Sequence, residues 1–118
     1  MTPEELKERL TTYAVDCVTF GVELRKKPEA RQIAEELSAS ATSTAAHYRA
    51  ACRARSRRDF RSRIGLAIEA ADACVGWLEI IVRSRLADAD RTVALRREAS
   101  EVLAILAAAR RTAADRNH

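Results

Sequence analysis

Apolar residues recur along this chain in alternating steps of four and three positions, the spacing that places them on one face of an α-helix. The first series is Leu6, Leu10, Tyr13, Cys17, Phe20 and Leu24. No stretch shows the strict apolar–polar alternation of a half-buried β-strand. The pattern therefore predicts an all-α protein.

Interruptions of this spacing divide the chain into four helices. We predict them within a single domain, residues 1–118, over residues 3–26, 28–54, 57–84 and 90–115. Thr2 and Pro3 predict the N-cap and first turn of the first helix. Ser56 and Asp59 form an S-x-x-D box, which predicts the start of the third. Four amphipathic helices with short links are expected to form an antiparallel up-down four-helix bundle.

Two of the predicted helices carry more apolar residues than one core face needs. Beside its main stripe the third helix has a second row, Ile68, Val75 and Val82, and the fourth adds Leu103 with Ile105. Uncovered rows of this kind predict self-association. Packing of the same rows inside one monomer is the alternative.

Composition narrows the class of protein. Apolar residues make up 47% of the chain and charged residues 32%, which indicates a globular protein. The chain opens on a charged segment and has no apolar run long enough to span a bilayer. Its three cysteines, an odd number without a C-x-x-C pair, fall on apolar positions. We therefore expect a soluble cytoplasmic protein with reduced thiols and no membrane partner.

Positive charge is concentrated in residues 49–63, a segment of charge +6 in a chain of net charge +4. Asp59 is its one acid, and its candidate nucleic-acid-binding residues are Arg49, Arg53, Arg55, Arg57, Arg58, Arg61 and Arg63. In an up-down bundle this segment shares an end with both chain termini. We therefore expect Arg110, Arg111 and Arg116 to add to the charge there and Glu4 and Glu5 to neutralise part of it.

Helix polarity separates these arginines into two groups. Cations at a helix C-terminus are favourable, which explains Arg53 and Arg55, whereas Arg57, Arg58 and Arg61 oppose the dipole at the start of the third helix. An external anion accounts better for the second group. Contacts to nucleic-acid phosphates, sensitive to salt and nearly independent of base sequence, are the predicted mode of binding. The alternative is a turn that is simply solvated.

Other side chains offer little chemistry. The aromatic residues near the arginines, Tyr48 and Phe60, lie on core stripes, so base stacking is poorly supported. His47 and Cys52 are five positions apart, the wrong spacing for one helical face, and His118 is the last residue. No zinc spacing, Glu-x-x-His pair or glycine-rich phosphate loop occurs in the sequence. We predict a protein that is not an enzyme and uses no metal or cofactor.

The run "SATSTAAHYRAACRARSRRDFRSRIGLAIEAADACVGWLEII", residues 40–81, resembles the signature of the four-helix bundle family named for 23S rRNA intervening-sequence proteins. It covers about a third of the chain. The residues that carry the resemblance are Ser43, Tyr48, Arg49, the run "ACRARS", Asp59, Phe60, Gly65, Ala71, Asp72, Trp77, Leu78 and Glu79. The chain departs from the family pattern in having His47 for Asn, Ala50 and Ala70 for Glu, and Gly76 for an aromatic residue beside Trp77.

This family is similar to the accessory variability protein of diversity-generating retroelements. The resemblance implies a basic homopentamer that binds RNA or DNA, with a reverse transcriptase or another protein as partner. Three functions remain open: a nucleic-acid-binding adaptor that self-associates, a protein–protein assembly module with no nucleic-acid role, and an enzyme that acts on a small anion between subunits. The first is the prediction.

Overall fold

A computed structural model describes residues 1–115, and all the regular structure within them is helical. The helices are α1, Pro3–Leu24; α2, Arg31–Cys52; α3, Arg57–Ser84; and α4, Ala89–Asp115, with a single 3-10 turn, Pro28–Ala30, before α2. They pack together into a body of 50 × 20 × 19 Å. The predicted all-α fold of four helices is confirmed. Arg116 and His118 lie outside the described residues.

Side-chain caps begin three of the helices. Thr2 and Glu5 form a reciprocal capping box on α1, in which each backbone N–H donates to the other's side chain. The hydroxyl of Ser56 accepts from the Asp59 N–H at the start of α3, as predicted. Asp88 accepts from the Arg91 N–H at 2.9 Å and caps α4. These short-range hydrogen bonds fix where α1, α3 and α4 begin, close to the helix starts that the sequence pattern indicates.

The link between α1 and α2 differs from the prediction. α1 ends at Leu24, because the N–H groups of Lys26 and Lys27 donate to carbonyls only three residues back. Pro28 then begins a 3-10 turn, and α2 starts at Arg31 rather than at residue 28. Proline has no N–H and disfavours helical geometry in the residue before it, so the chain needs several residues to re-enter a helix.

The core consists of two clusters that draw on all four helices. One contains Leu24, Leu37, Leu78 and Leu95. The other contains Leu10, Tyr48, Ile64 and Leu106. α2 and α3 each pack along two neighbours, whereas α1 and α4 meet over a small area, so α1 and α3 face each other across the core. Within residues 1–115, no helix combines the length and the apolar content that crossing a bilayer requires.

An ion-pair network joins α1 to α4 where their packing is sparse. The Arg9 guanidinium donates to both carboxylate oxygens of Glu98, at 2.9 and 2.6 Å, and to Glu101 at 2.7 Å. Hydrogen bonding to Glu98 is the main cause that raises the pKa of Arg9. Because Arg9 is 29% exposed, solvent weakens this attraction, but the two-pronged geometry orients the two helices.

Small side chains in the middle of α2 allow close packing on both of its flanks. A Cβ built on Gly21 of α1 would lie 2.7 Å from the Ser38 hydroxyl, closer than carbon and oxygen can approach. That hydroxyl is buried and has no hydrogen-bond partner within the described residues. On the other flank, the Trp77 indole N–H of α3 donates to the Ser40 hydroxyl at 3.2 Å. Small residues in α2 thus admit α1 and the Trp77 ring.

The apolar rows predicted as surplus are largely covered by the monomer itself. Their residues are half-buried, and most of them pack against the core clusters: Ile68, Val75, Val82, Leu103 and Ile105. Packing within the monomer, the alternative interpretation, therefore accounts for most of this surface, whereas Ile105 also borders an open groove described below. The large apolar side chains that remain exposed on helices are Val15, Val22, Leu66 and Ile80.

We predict that Gly21→Ala stabilises the protein only when Ser38 is also changed to Ala. Alanine in a helix interior is about 1 kcal/mol more favourable than glycine. In the wild-type background the new methyl group must displace the Ser38 hydroxyl, which offsets that gain. Urea unfolding of the four members of the double-mutant cycle measures the coupling. Gly76→Ala, whose Cβ would meet nothing within 4 Å, is the control and should stabilise both backgrounds equally. Equal effects of Gly21→Ala in both backgrounds would contradict the steric argument.

Candidate nucleic-acid interface

The turn between α2 and α3 carries all seven of the predicted arginines, and every one is exposed. Arg49 lies in the last turn of α2, Arg53 caps that helix, and Arg55 lies in the link. The first two turns of α3 hold the others: Arg57, Arg58, Arg61 and Arg63. The seven side chains thus flank one turn. We call this set the arginine end.

Asp59 is hydrogen-bonded to three other residues of the turn, Arg55, Ser56 and Arg63. Its carboxylate accepts from the Arg55 backbone N–H at 3.2 Å and from the Arg63 side-chain Nε at 3.0 Å, while its own N–H donates to Ser56. The hydrogen bond from the Arg55 N–H is the main cause that lowers the pKa of Asp59, and the bond from Arg63 adds to it. The charge of Arg63 is therefore compensated within the turn.

Residues from the two ends of the chain lie beside this turn. A Cβ built on Gly65 of α3 would lie 3.4 Å from the Arg110 guanidinium, so Arg110 of α4 extends over the early part of α3. A hydrogen bond from Lys7 lowers the pKa of Glu4, and the charge of Arg49 contributes to the same shift. Glu4 is thus close enough to Arg49 to offset part of its charge. Arg111 is exposed on α4.

A groove of about 750 Å³ opens at the arginine end. We call it the end groove; its lining comes from the start of α1, the end of α2, the link, the start of α3 and the later part of α4. The residues are Met1, Thr2, Pro3, Leu6, Tyr48, Ala51, Cys52, Ala54, Arg55, Ser56, Arg57, Phe60, Ile105, Ala108, Ala109 and Thr112. Phe60 is half-buried and borders this groove, so it is less enclosed than its place on a core stripe suggested.

Away from the arginine end, the side chains of Cys17, Cys74 and Tyr13 are packed in the core. Cys17 and Cys74 are fully buried, and burial raises the pKa of Cys17 to about 12 and also raises that of Cys74. The Tyr13 hydroxyl lies near both thiols and has no hydrogen bond of normal geometry within residues 1–115. His47 lines a shallow depression between α2 and α3. Among the described residues, no group of three or more potential ligands could hold a metal ion.

The end groove is the feature that sequence reasoning missed. Its lining comes from five separate parts of the chain, and most of these residues are ordinary apolar or small residues on amphipathic helices. The one available signal was Ile105, which falls outside the main stripe of α4. That position predicted surplus apolar surface but gave no indication that it borders a groove beside the arginines.

Comparison with known proteins supports the fold. The chain matches no protein-family model and no curated protein. Among solved structures it is similar to a protein of unknown function from the S23 ribosomal protein family of Bacteroides thetaiotaomicron. The TM-score is 0.81 with 24% sequence identity, over 86% of this chain and 94% of that one. At this identity the likeness establishes a shared fold and leaves function open.

We predict that Asp59→Asn destabilises the protein near neutral pH but not in strong acid. An unfolded Asp titrates near pH 3.9, and the folded pKa of Asp59 is lower, so the carboxylate stabilises the fold above about pH 4. This contribution is lost as the pH falls through the folded pKa. The measurement is the difference in free energy of unfolding between wild type and variant at pH 7 and at about pH 2.5.

Asp72→Asn, an exposed change farther along α3, is the control and should have little effect at either pH. A penalty for Asp59→Asn that is the same at both pH values would show that its carboxylate charge does not stabilise the turn.

Proposed function

We propose that this protein is a non-enzymatic, homo-oligomeric adaptor that binds the sugar–phosphate backbone of RNA or DNA through its arginine end. The observation that carries the proposal is the exposure of seven arginines around one turn, with Arg110 alongside and one acid, Asp59, compensating Arg63. We further propose membership of the family of 23S rRNA intervening-sequence proteins. The structural likeness to an S23 family protein supports that assignment.

Helix electrostatics favour an anionic ligand at this end. Arg57 and Arg58 occupy the first turn of α3, where the backbone N–H groups already present positive charge. The helix dipole itself does not favour cations at that position. A phosphate group would interact favourably with both the helix end and the guanidinium groups, which bind phosphate oxygens with two parallel hydrogen bonds. Because such contacts address the backbone, binding would be nearly independent of base sequence.

The exposed apolar residues support self-association. Val15 and Val22 are seven positions apart on α1, and Leu66, Ala73 and Ile80 follow the same spacing on α3, so each helix has an outward stripe. Val15 borders a depression beside Thr42 of α2, and Leu66 borders another beside Ser43 of α2, so the two stripes lie on opposite flanks of α2. An up-down bundle with two such stripes suits a ring in which α1 of one copy contacts α3 of the next. The resemblance implies five copies.

The cysteine thiols and Trp77 are consistent with the proposed role as a cytoplasmic adaptor. The two most buried thiols are held in their protonated form by burial, and Trp77 donates to Ser40 within the bundle. All three cysteines are free thiols, which suits a reducing compartment. A reverse transcriptase or another protein remains a proposed partner on the strength of the resemblance alone.

We predict that replacing Arg57, Arg58 and Arg61 with Glu abolishes binding to nucleic acid while the protein stays folded. The probes are a fluorescent single-stranded RNA and a DNA duplex, measured by anisotropy. The wild-type protein should bind with a Kd in roughly the micromolar range. If it contacts about four phosphates, its affinity should fall about 100-fold when the salt concentration rises from about 50 to about 200 mM.

The matched control for this experiment is the triple change of Arg31, Arg83 and Arg97 to Glu. It alters the net charge equally, and all three residues are exposed in other parts of the bundle. Circular dichroism checks the fold of both variants, and glutamine replacements at the same sites serve if the glutamate variant unfolds. Equal loss of binding in both triple variants would indicate a net-charge effect, and unchanged binding at the arginine end would refute the proposed interface.

We predict that Leu66→Glu with Ile80→Glu, or Val15→Glu with Val22→Glu, converts the oligomer to monomers of about 13.1 kDa. Light scattering coupled to size exclusion measures the mass. Mixing the two double variants should give dimers, since the intact α3 stripe of one copy can still meet the intact α1 stripe of the other. Ser100→Glu, an exposed change on α4, is the control. A monomeric wild type, or a mixture that stays monomeric, would contradict the ring arrangement.

A further inference from the structure

The end groove has an apolar floor. Leu6, Tyr48, Phe60 and Ile105 belong to the core cluster at this end or pack against it, and they also line the groove. The groove therefore borders the apolar core at one end of the bundle. An opening of about 750 Å³ lies in the range of sites that bury a drug-sized ligand or a few side chains of a partner.

Small residues shape the walls so that a rod-like ligand can approach closely. Ala51 and Ala54 line the groove near the end of α2, and Ala108 and Ala109 line it on α4. The groove runs along α4 from Ile105 to Thr112, seven residues or roughly 10 Å of helix. Alanine walls over two helical turns permit the backbone of another helix to come close, as in the packing of helices through small residues.

The charged side chains at the groove are positive. Among the described residues that line it, Arg55 and Arg57 are the ones with a charged side chain. Asp59 is turned into the α2–α3 link, where it accepts from the Arg55 N–H and from Arg63. The groove therefore suits an occupant that is apolar on the side facing the floor and acidic on the side facing these arginines.

We propose that the end groove docks an acidic amphipathic helix of a protein partner. Two apolar side chains one helical turn apart would enter the groove, and carboxylates beside them would pair with Arg55 and Arg57. A nucleobase fits the groove less well, because its edges need donors and acceptors and the lining is mainly aliphatic. This docking does not depend on nucleic-acid binding. Because Arg55 and Arg57 belong to both sites, the helix and nucleic acid would compete.

Cys52 provides a built-in reporter of occupancy. It is half-buried and lines the end groove, whereas Cys17 and Cys74 are fully buried in the core. An alkylating reagent should therefore label Cys52 first in the folded protein. A helix seated in the groove would cover this thiol, and at a peptide concentration ten times the Kd its alkylation should slow about tenfold.

The test is selection of binders from a display library of random helical peptides against the full chain. We expect the enriched peptides to carry two apolar residues three or four positions apart and a net negative charge, and to protect Cys52. Ala108→Trp, an exposed change that fills the groove, should weaken their binding at least tenfold. Ala94→Trp, an exposed change elsewhere on α4, is the matched control and should leave it unchanged.

A second arm separates this proposal from the proposed function. Selected peptides should displace a fluorescent RNA from the wild-type protein, while Ala108→Trp should bind that RNA as wild type does. Enrichment of peptides without acidic residues, of peptides that leave Cys52 reactive, or of none at all would overturn the docking proposal. Loss of RNA binding in Ala108→Trp would overturn it as well, since the groove would then belong to the nucleic-acid interface.

Discussion

A single carboxylate in the α2–α3 link, that of Asp59, holds together the part of the molecule on which its proposed roles depend. Asp59 receives the Arg55 N–H and the Arg63 side chain, and its own N–H is capped by Ser56. These contacts close the link between α2 and α3 over a few residues. The same link carries the exposed arginines and one edge of the end groove. Its local geometry therefore decides how both surfaces are presented.

Charge placement around this turn differs from what stability alone would favour. The Arg9 network between α1 and α4 and the Arg96–Glu79 pair between α3 and α4 place each guanidinium against a carboxylate. At the start of α3, by contrast, arginines add to the positive end of the helix dipole. The proposed anionic ligand would supply negative charge at a helix end where the dipole disfavours arginine.

The two proposed surfaces meet at Arg55 and Arg57, and this overlap would make their two ligands compete. Nucleic acid would use these guanidinium groups as backbone contacts, and a docked acidic helix would use them as partners for carboxylates. Neither ligand could then occupy the shared edge fully while the other is bound. In a ring of copies, each arginine end would make this choice separately, so one assembly could hold both kinds of ligand.

Signals contained within a few residues of the sequence determined the helical class, the caps at Thr2 and Ser56, and the clustering of arginines in residues 49–63. These features follow from periodicity, capping and charge along one chain segment. The tertiary structure decided that Ile68 and Leu103 are covered, that Gly21 must meet Ser38, and that an apolar groove opens beside the arginines. Those outcomes depend on which helix lies against each face and at what distance. Contacts between distant segments set that arrangement, and no local pattern encodes it.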